Sequence, residues 1–327
     1  MRILITGGAG YIGSHTAQRM AAADFEPIIF DNLSTGHHWA VQWGSLVTGD
    51  LRDRKQVQEA LVTYQPEAVI HFAANAYVGE SVQNPRKYFQ NNVVGSLNLL
   101  DAMVDAGVRY LIFSSSCTTY GLPQQLPLTE DHPQHAVSPY GESKLFVEHA
   151  LQWYAEPYGL HYVALRYFNA AGADPNGRIG ELHAPETHLI PLAIQAALGQ
   201  HPALEIFGSD YPTPDGTAIR DYVHVVDLAA AHMLALQYLL NGGDNVAVNL
   251  GTGRGYSVQE VIHMVEQVGG RPVPTRQGPR RPGDPPALVA DPTRAAQLLH
   301  WQPQYSDLAS IVQTAWHWHT AHPPALA

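Results

Sequence analysis

The chain begins with a buried-strand run, Arg2–Thr6, breaks into Gly7-Gly8-Ala9-Gly10-Tyr11-Ile12-Gly13, and resumes with a helical period over Ile12–Ala23. Glycines at Gly7, Gly10 and Gly13, lying between a strand and a helix, restrict what can follow. They allow a tight turn and let a bulky anion approach the backbone N–H groups and the positive end of the helix. This context predicts a pyrophosphate cradle at the edge of a parallel sheet; a turn without a ligand is the competing reading.

The downstream sequence favours the cradle. Short apolar runs at Pro27–Phe30, Ser45–Thr48, Ala68–Phe72 and Arg109–Ser114 alternate with helical segments at Arg54–Tyr64 and 85–106, the latter opened by Asn84-Pro85 as cap and first-turn proline. Strands alternating with helices predict an α/β fold, a doubly wound parallel sheet with right-handed crossovers. Runs such as Ile28-Ile29-Phe30 and Leu111-Ile112-Phe113 suit strands buried on both faces. After Asn169 proline and glycine concentrate in 172–186, 208–216 and 272–286, predicting a smaller, loop-rich lobe built around a ligand. The domain reading is 1–169 for the dinucleotide-binding unit, with 225–251 returning to it, and 170–327 for the lobe.

Asp31 ends the second strand about 20 residues beyond the glycines, where a carboxylate takes the adenosine ribose hydroxyls and repels a 2′-phosphate. No arginine lies in Asn32–Gly36, so NAD is expected rather than NADP. Asp50 is a candidate adenine contact, with an N-cap for the following helix as an equal alternative.

Tyr140 and Lys144, in Ser138-Pro139-Tyr140-Gly141-Glu142-Ser143-Lys144, share one face of a helix that Ser138 and Pro139 begin. A phenol with a pKa near 10 is a poor base at neutrality. A nearby ammonium and a positive nicotinamide favour the phenolate. Ser116, beyond the Arg109–Ser114 strand, is placed to bond a substrate oxygen and relay a proton. The bland alternative, a half-buried tyrosine and a solvated lysine, fits the spacing alone but not its combination with the glycine turn and the serine strand. Arg220 and Arg281, in Gly/Pro-rich segments of an Arg-poor acidic chain, suit a diphosphate, and Asp284 suits ribose hydroxyls.

The net charge of −11 without basic runs argues against nucleic-acid and anionic-membrane partners. No stretch approaches the roughly 20 apolar residues of a membrane span. Cys117 is the single cysteine, so no intramolecular disulfide forms; a cytoplasmic protein is expected. Eighteen histidines show no convincing metal-ligand spacing. His183-x4-His188 flanks a proline and is read as structural, and no metal is expected.

Motif stretches through nearly the whole chain, including Thr6–His15, Phe113–Gly121, Ser138–Lys144, Arg166–Gly172, Phe207–Asp227 and Arg280–Asp284, resemble the UDP-glucose (UDP-galactose) 4-epimerases of the extended short-chain dehydrogenase/reductase family. The resemblance implies a Rossmann sheet and NAD-dependent epimerisation of a UDP-sugar at C4 through a 4-keto intermediate. It implies NAD contacts at Tyr11, Ile12, Asp31, Asn32, Asp50, Leu51, Phe72, Ala73, Asn91, Tyr140, Lys144 and Phe168. Substrate contacts are implied at Ser116, Tyr140, Asn169, Leu189, Phe207, Arg220, Tyr222, Arg281 and Asp284. Ala74-Asn75-Ala76 stands where many members carry Gly-Leu-Lys, so one cationic cofactor contact is missing; Cys117 and Thr119 replace the usual Ala and Val. The resemblance also implies a homodimer through helices near 85–106 and 140–156, and places Leu288 against the sugar C2 substituent. A dehydratase of this family would carry Asp-Glu at Cys117-Thr118. A UDP-pentose or UDP-N-acetylhexosamine 4-epimerase shares most motifs and stays open, and a non-catalytic NAD-binding protein would be expected to have lost Tyr140 or Lys144.

Overall fold

The computed structural model describes residues 1–281 and 283–322; the end of the 170–327 lobe reading lies outside them. The strands are β1 (Arg2–Thr6), β2 (Glu26–Asp31), β3 (Ser45–Thr48), β4 (Ala68–His71), β5 (Tyr110–Ser116), β6 (His161–Tyr167), β7 (Asn169–Ala171), β8 (Leu204–Phe207), β9 (Ile219–His224), β10 (Val246–Leu250), β11 (Gly255–Ser257), β12 (Thr275–Gly278) and β13 (Ala287–Leu288). Among the described residues a seven-stranded sheet runs β10-β6-β5-β4-β1-β2-β3, every pair parallel. This is the doubly wound α/β sheet expected.

Side chains of a strand alternate between faces, and β1 divides accordingly. Ile3 and Ile5 join one core with Met20 of the helix Tyr11–Ala21 and Leu228 of the helix Val225–Leu240. Leu4 joins the other, with Leu61 from Arg54–Tyr64, Met103 from Gly95–Ala106 and Leu151 from Pro139–Tyr158. Each fully buried Ile or Leu contributes about 1.5–3 kcal/mol, so residues 1–6 anchor both layers before the glycine turn begins.

The expected single helix over 85–106 is interrupted. Pro85–Tyr88 and Gly95–Ala106 are α-helical, but Phe89–Val94 between them is wound as a π-helix. The wider winding places Asn92 inward, where its side-chain nitrogen donates to the Asn75 carbonyl and to Ser143 Oγ at 3.0 Å each, and its oxygen takes the Asn75 N–H at 2.8 Å. π-Segments concentrate at functional sites because they turn a side chain that an α-helix would misdirect.

The second half builds a smaller sheet, β11-β9-β13, with β7 also on β9, and a β8–β12 pair. Helices Leu189–Ala197, Val258–Gly269 and Leu308–Ala321 contribute to its separate core, which includes Ile194, Val261 and Ile311. β7 follows β6 after one residue, Phe168, so this sheet opens beside the carboxyl ends of the large one. Clefts at that edge are where ligands bind in such folds.

Candidate active site

The glycine turn is closed to any other residue. Gly7 has φ +71°, and a Cβ there would stand 2.6 Å from the Ala73 nitrogen; one on Gly13 would stand 2.3 Å from the Gly7 carbonyl oxygen. Gly10 begins the helix Tyr11–Ala21 with no side-chain cap, leaving the first-turn N–H groups to an outside acceptor. Asp31 fastens the end of β2 to this turn, accepting from the Ala9 N–H at 3.0 Å and the Leu33 N–H at 2.8 Å. Burial pushes its carboxyl up, against those two bonds. A glycine cradle, an uncapped helix start and an adjacent carboxylate fit a dinucleotide.

Asp50 is not the helix cap. Asp53 takes that role, accepting from the Lys55 and Gln56 N–H groups. Asp50 is held by Arg52 at 2.6 Å and by Asn32 at 3.1 Å, and the Arg52 guanidinium, with Asn32, keeps it well below the usual carboxylate range. Leu51 is buried and packs on Gly95, while its carbonyl accepts from Asn98. Phe72, Ala73 and Ala74 follow β4 half-buried, with the Phe72 ring 4.6 Å from that of His232. Asn91 lies in the π-segment and donates to Asn92. Tyr11 turns its hydroxyl to the Gly172 carbonyl at 2.5 Å, Ile12 packs against the first core, and Phe168 is buried at the β6–β7 junction.

Tyr140, Lys144 and Ser116 converge. Ser138 accepts the Gly141 N–H and Pro139 occupies the first turn, so the helix starts where its cap dictates and both Tyr140 and Lys144 face inward, buried. Ser116 is the last residue of β5, which runs two residues beyond the expected Ser114 end, rather than a loop residue after it. Its Oγ accepts from Thr118 N–H at 3.2 Å and Thr118 Oγ1 at 3.0 Å, which leaves its own proton free for another acceptor. Lys144 donates from Nζ to the Ser114 carbonyl at 2.8 Å and lies 5.9 Å from the centre of the Tyr140 ring. Burial lowers this ammonium to about 7. The phenol is pushed up by burial and by Tyr167, with the Ser116 bond opposing. Burial is thus the force that the Lys144 ammonium and a positive nicotinamide would have to oppose to favour the phenolate.

Behind this face runs a buried network that spacing did not disclose. Arg166 of β6 pairs with Glu148 at 2.6 Å, and Glu148 also accepts from Ser115 Oγ, next to Ser116. Arg166 reaches Tyr120 at 3.0 Å, whose hydroxyl donates to Asn249 of β10 at 2.7 Å. Two signals were present: an arginine at the end of an apolar strand run needs a partner, and Glu148 lies four residues after Lys144 on the same helical face.

The lobe gathers the remaining candidates. Arg220 and Tyr222 lie on β9, Asn169 pairs with Tyr222 across β7–β9, and Leu288 pairs with Arg220 across β13–β9. Asp284 bridges the two arginines, accepting from Arg220 and, at 2.9 Å, from Arg281. Arg281 lies over the Phe207 ring, 5.1 Å from its centre. Leu189 starts its helix at the cleft. Leu288 is half-buried against a small apolar cluster that includes Cys117, the residue after Ser116, and Phe168, so it serves as packing beside Ser116.

The histidine spacing set aside above closes on two carboxylates. His183 and His188 fold back onto Glu181 and Glu186, with one donor atom of each within 4.8 Å of all the others.

Residues 3–251 match the NAD dependent epimerase/dehydratase family. The chain is 52% identical to the UDP-glucose 4-epimerase of Rhizobium meliloti (strain 1021), covering 97% of each chain. It is similar to the crystal structure of UDP-glucose 4-epimerase from Brucella ovis in complex with NAD, with TM-score 0.95, 54% identity, and 97% and 98% of the two chains covered. It is also similar to the Bifidobacterium longum UDP-glucose 4-epimerase in complex with NAD+ and UDP, with TM-score 0.93, 37% identity and 99% of each chain covered.

Proposed function

The chain belongs to the NAD dependent epimerase/dehydratase family, and from that premise we propose that it interconverts UDP-galactose and UDP-glucose at C4 with Tyr140 as the acid–base residue. It is an NAD-dependent UDP-sugar 4-epimerase. The observation that separates it from a dehydratase is the turn after Ser116. Elimination of water needs a carboxylic acid and base there, whereas Cys117 is a buried thiol pushed up to about 12 and Thr118 is spent on Ser116.

NAD, held by the glycine turn and Asp31, would supply the hydride acceptor for sugar C4 and the donor that returns the hydride to the other face of the ketosugar. Deprotonated Tyr140 accepts the proton of the C4 hydroxyl and gives it back after the ketosugar turns. Ser116 donates a hydrogen bond to the C4 oxygen, on which negative charge develops in each hydride-transfer transition state. Lys144 holds a positive field below the phenol, and Arg220 and Arg281 grip the diphosphate while the sugar moves. Gly7, Gly10, Gly13, Asp31 and Asn32 hold the dinucleotide, with Asp31 on the ribose. Asn169, Leu189, Phe207 and Tyr222 line the sugar-nucleotide cleft.

We further propose a homodimer. Phe89, Val94, Phe146 and Trp153 stand exposed on the two helical segments of 85–106 and 139–158, Trp153 by 80%. Solvent-facing aromatics of this kind mark association surfaces. Among the described residues no helix is long and apolar enough to cross a membrane.

Incubation with UDP-galactose and chromatography of the products tests the reading. UDP-glucose should form without net NADH, and denatured protein should release about one NAD or NADH per chain. A 4-keto-6-deoxy product would assign the site to dehydration instead, and a requirement for NADP would remove Asp31 from the cofactor site.

A further inference from the structure

Between Gly180 and Leu189 the chain collects four side chains that ligate metals. His188 Nδ1 lies 2.8 Å from Glu181 Oε1 and 2.9 Å from Glu186 Oε1. His183 Nδ1 lies 3.2 Å from Glu181 Oε1 and 3.6 Å from Glu186 Oε2. A tetrahedral ion with ligands at about 2.0–2.2 Å keeps its donor atoms roughly 3.3–3.6 Å apart. Three of these separations are shorter than that edge and one matches it, and one donor atom of each of the four side chains lies within 4.8 Å of the others, so modest outward shifts would open the cluster around an ion.

Glu186 supplies an independent sign of a missing partner. Its side chain is 5% exposed, and Oε1 is occupied by the Thr187 and His188 N–H groups at 2.7 and 2.8 Å. Oε2 has no hydrogen bond and faces His183, whose Nδ1 is also buried without one. Buried polar atoms left in this state cost free energy, which a cation between them removes. The surroundings hold the donors in place as an outer shell does. The Glu181 carbonyl accepts from the buried Trp318 indole at 3.0 Å, and the Tyr11 and Tyr77 rings stand edge-on to His183 at 6.4 and 6.1 Å.

We propose that Glu181, His183, Glu186 and His188 bind one divalent transition-metal ion of the zinc class. Two carboxylates balance its charge, and two imidazoles select it over magnesium or calcium, which prefer oxygen donors. Leu189, a candidate substrate contact, follows the last ligand directly, and Tyr11 of the glycine turn borders His183. The ion's role is a clamp that fixes the 172–188 loop against the cofactor turn; all four protein positions of a closed tetrahedral site are filled, so it is not a Lewis acid.

The untagged full chain, stripped with a chelator and dialysed, is titrated with Zn2+ and separately with Co2+. Bound metal is counted by plasma mass spectrometry. One Zn2+ per chain is expected, together with the visible d–d bands of tetrahedral Co2+. Glu186→Gln and His183→Gln, each checked for a wild-type far-UV circular dichroism spectrum, should weaken binding by more than about tenfold, the scale of loss for even an outer-shell partner. Substoichiometric binding, octahedral Co2+ bands, or affinity unmoved in both variants would overturn the site and leave an ion-pair cluster. If one variant does not fold, the other and the wild-type Co2+ spectrum still decide.

Discussion

Lys144 bonds the Ser114 carbonyl at 2.8 Å, and its Nζ stands 5.9 Å from the centre of the Tyr140 ring. The lysine is anchored by a backbone carbonyl and makes no hydrogen bond to the phenol, so under the proposed reading of Tyr140 as the acid–base group it would act through its field. Tyr140→Phe should lower kcat by roughly 10²–10⁴. In Lys144→Met, loss of a cation should raise the phenol pKa and move the acid limb of the kcat–pH profile to higher pH. An unmoved limb would confine Lys144 to a structural role.

Asp284 is shared between Arg220 and Arg281, but the arginines differ in burial, with side chains 11% and 57% exposed. Arg281→Ala should raise KM with little change in kcat, because diphosphate binding is common to ground and transition states. Arg220→Ala leaves the more buried Asp284 with one exposed partner, so it should also lower the urea midpoint of unfolding. Equal midpoints for both variants would contradict the difference in burial.

Leu288 packs against the apolar cluster that holds Cys117 and Phe168, on a strand paired with Arg220. Its size is intermediate, and a misfit of a few methylenes in an apolar pocket is worth about 1–3 kcal/mol. UDP-galactose should be preferred, with slow turnover of UDP-N-acetylglucosamine. Leu288→Tyr should increase the ratio of the two kcat/KM values; a constant ratio would show that Leu288 does not gate the sugar.

Trp153 and Phe146 belong to the helix that presents Tyr140 on its other side. Trp153→Glu should convert a particle of two chains to one near 36 kDa in light scattering. A wild-type protein already of that mass would remove the dimer.

His71, His224 and His232 are held neutral by burial, their pKa values lowered to about 3, 3 and 4. Unfolded histidine titrates near 6.5, so below that pH the unfolded chain binds more protons and stability falls as acid is added. The urea midpoint should decline from about pH 6.5 to about pH 5, a window above most carboxylate titration. A flat midpoint there would mean these rings do not control acid stability.

The strands were legible because burial on both faces leaves an almost continuous apolar run, as in Ile28-Ile29-Phe30, and the Ser138-Pro139 cap was legible because its chemistry is local. The π-winding of Phe89–Val94 was not, because one extra residue per turn barely disturbs an apolar period. The Asp50 cap reading failed by three residues, since Asp53 offers the same chemistry closer to the helix. The phenol's direction of shift depends on how deeply Tyr140 is buried, which spacing does not encode. The Glu181–His188 cluster needed the fold of its loop, because four side chains within eight residues converge only when the chain doubles back.

β10 completes the large sheet beside β6, yet the two are separated in the chain by β7, β8, β9 and the helices Leu189–Ala197 and Val225–Leu240. During synthesis, β6 leaves the ribosome with an open apolar edge. At 5–20 residues per second the roughly 80 residues that follow take about 4–16 s to arrive. Until Val246–Leu250 emerges, that edge is a surface on which a second nascent chain can pair, so a chaperone's protection matters most over this interval.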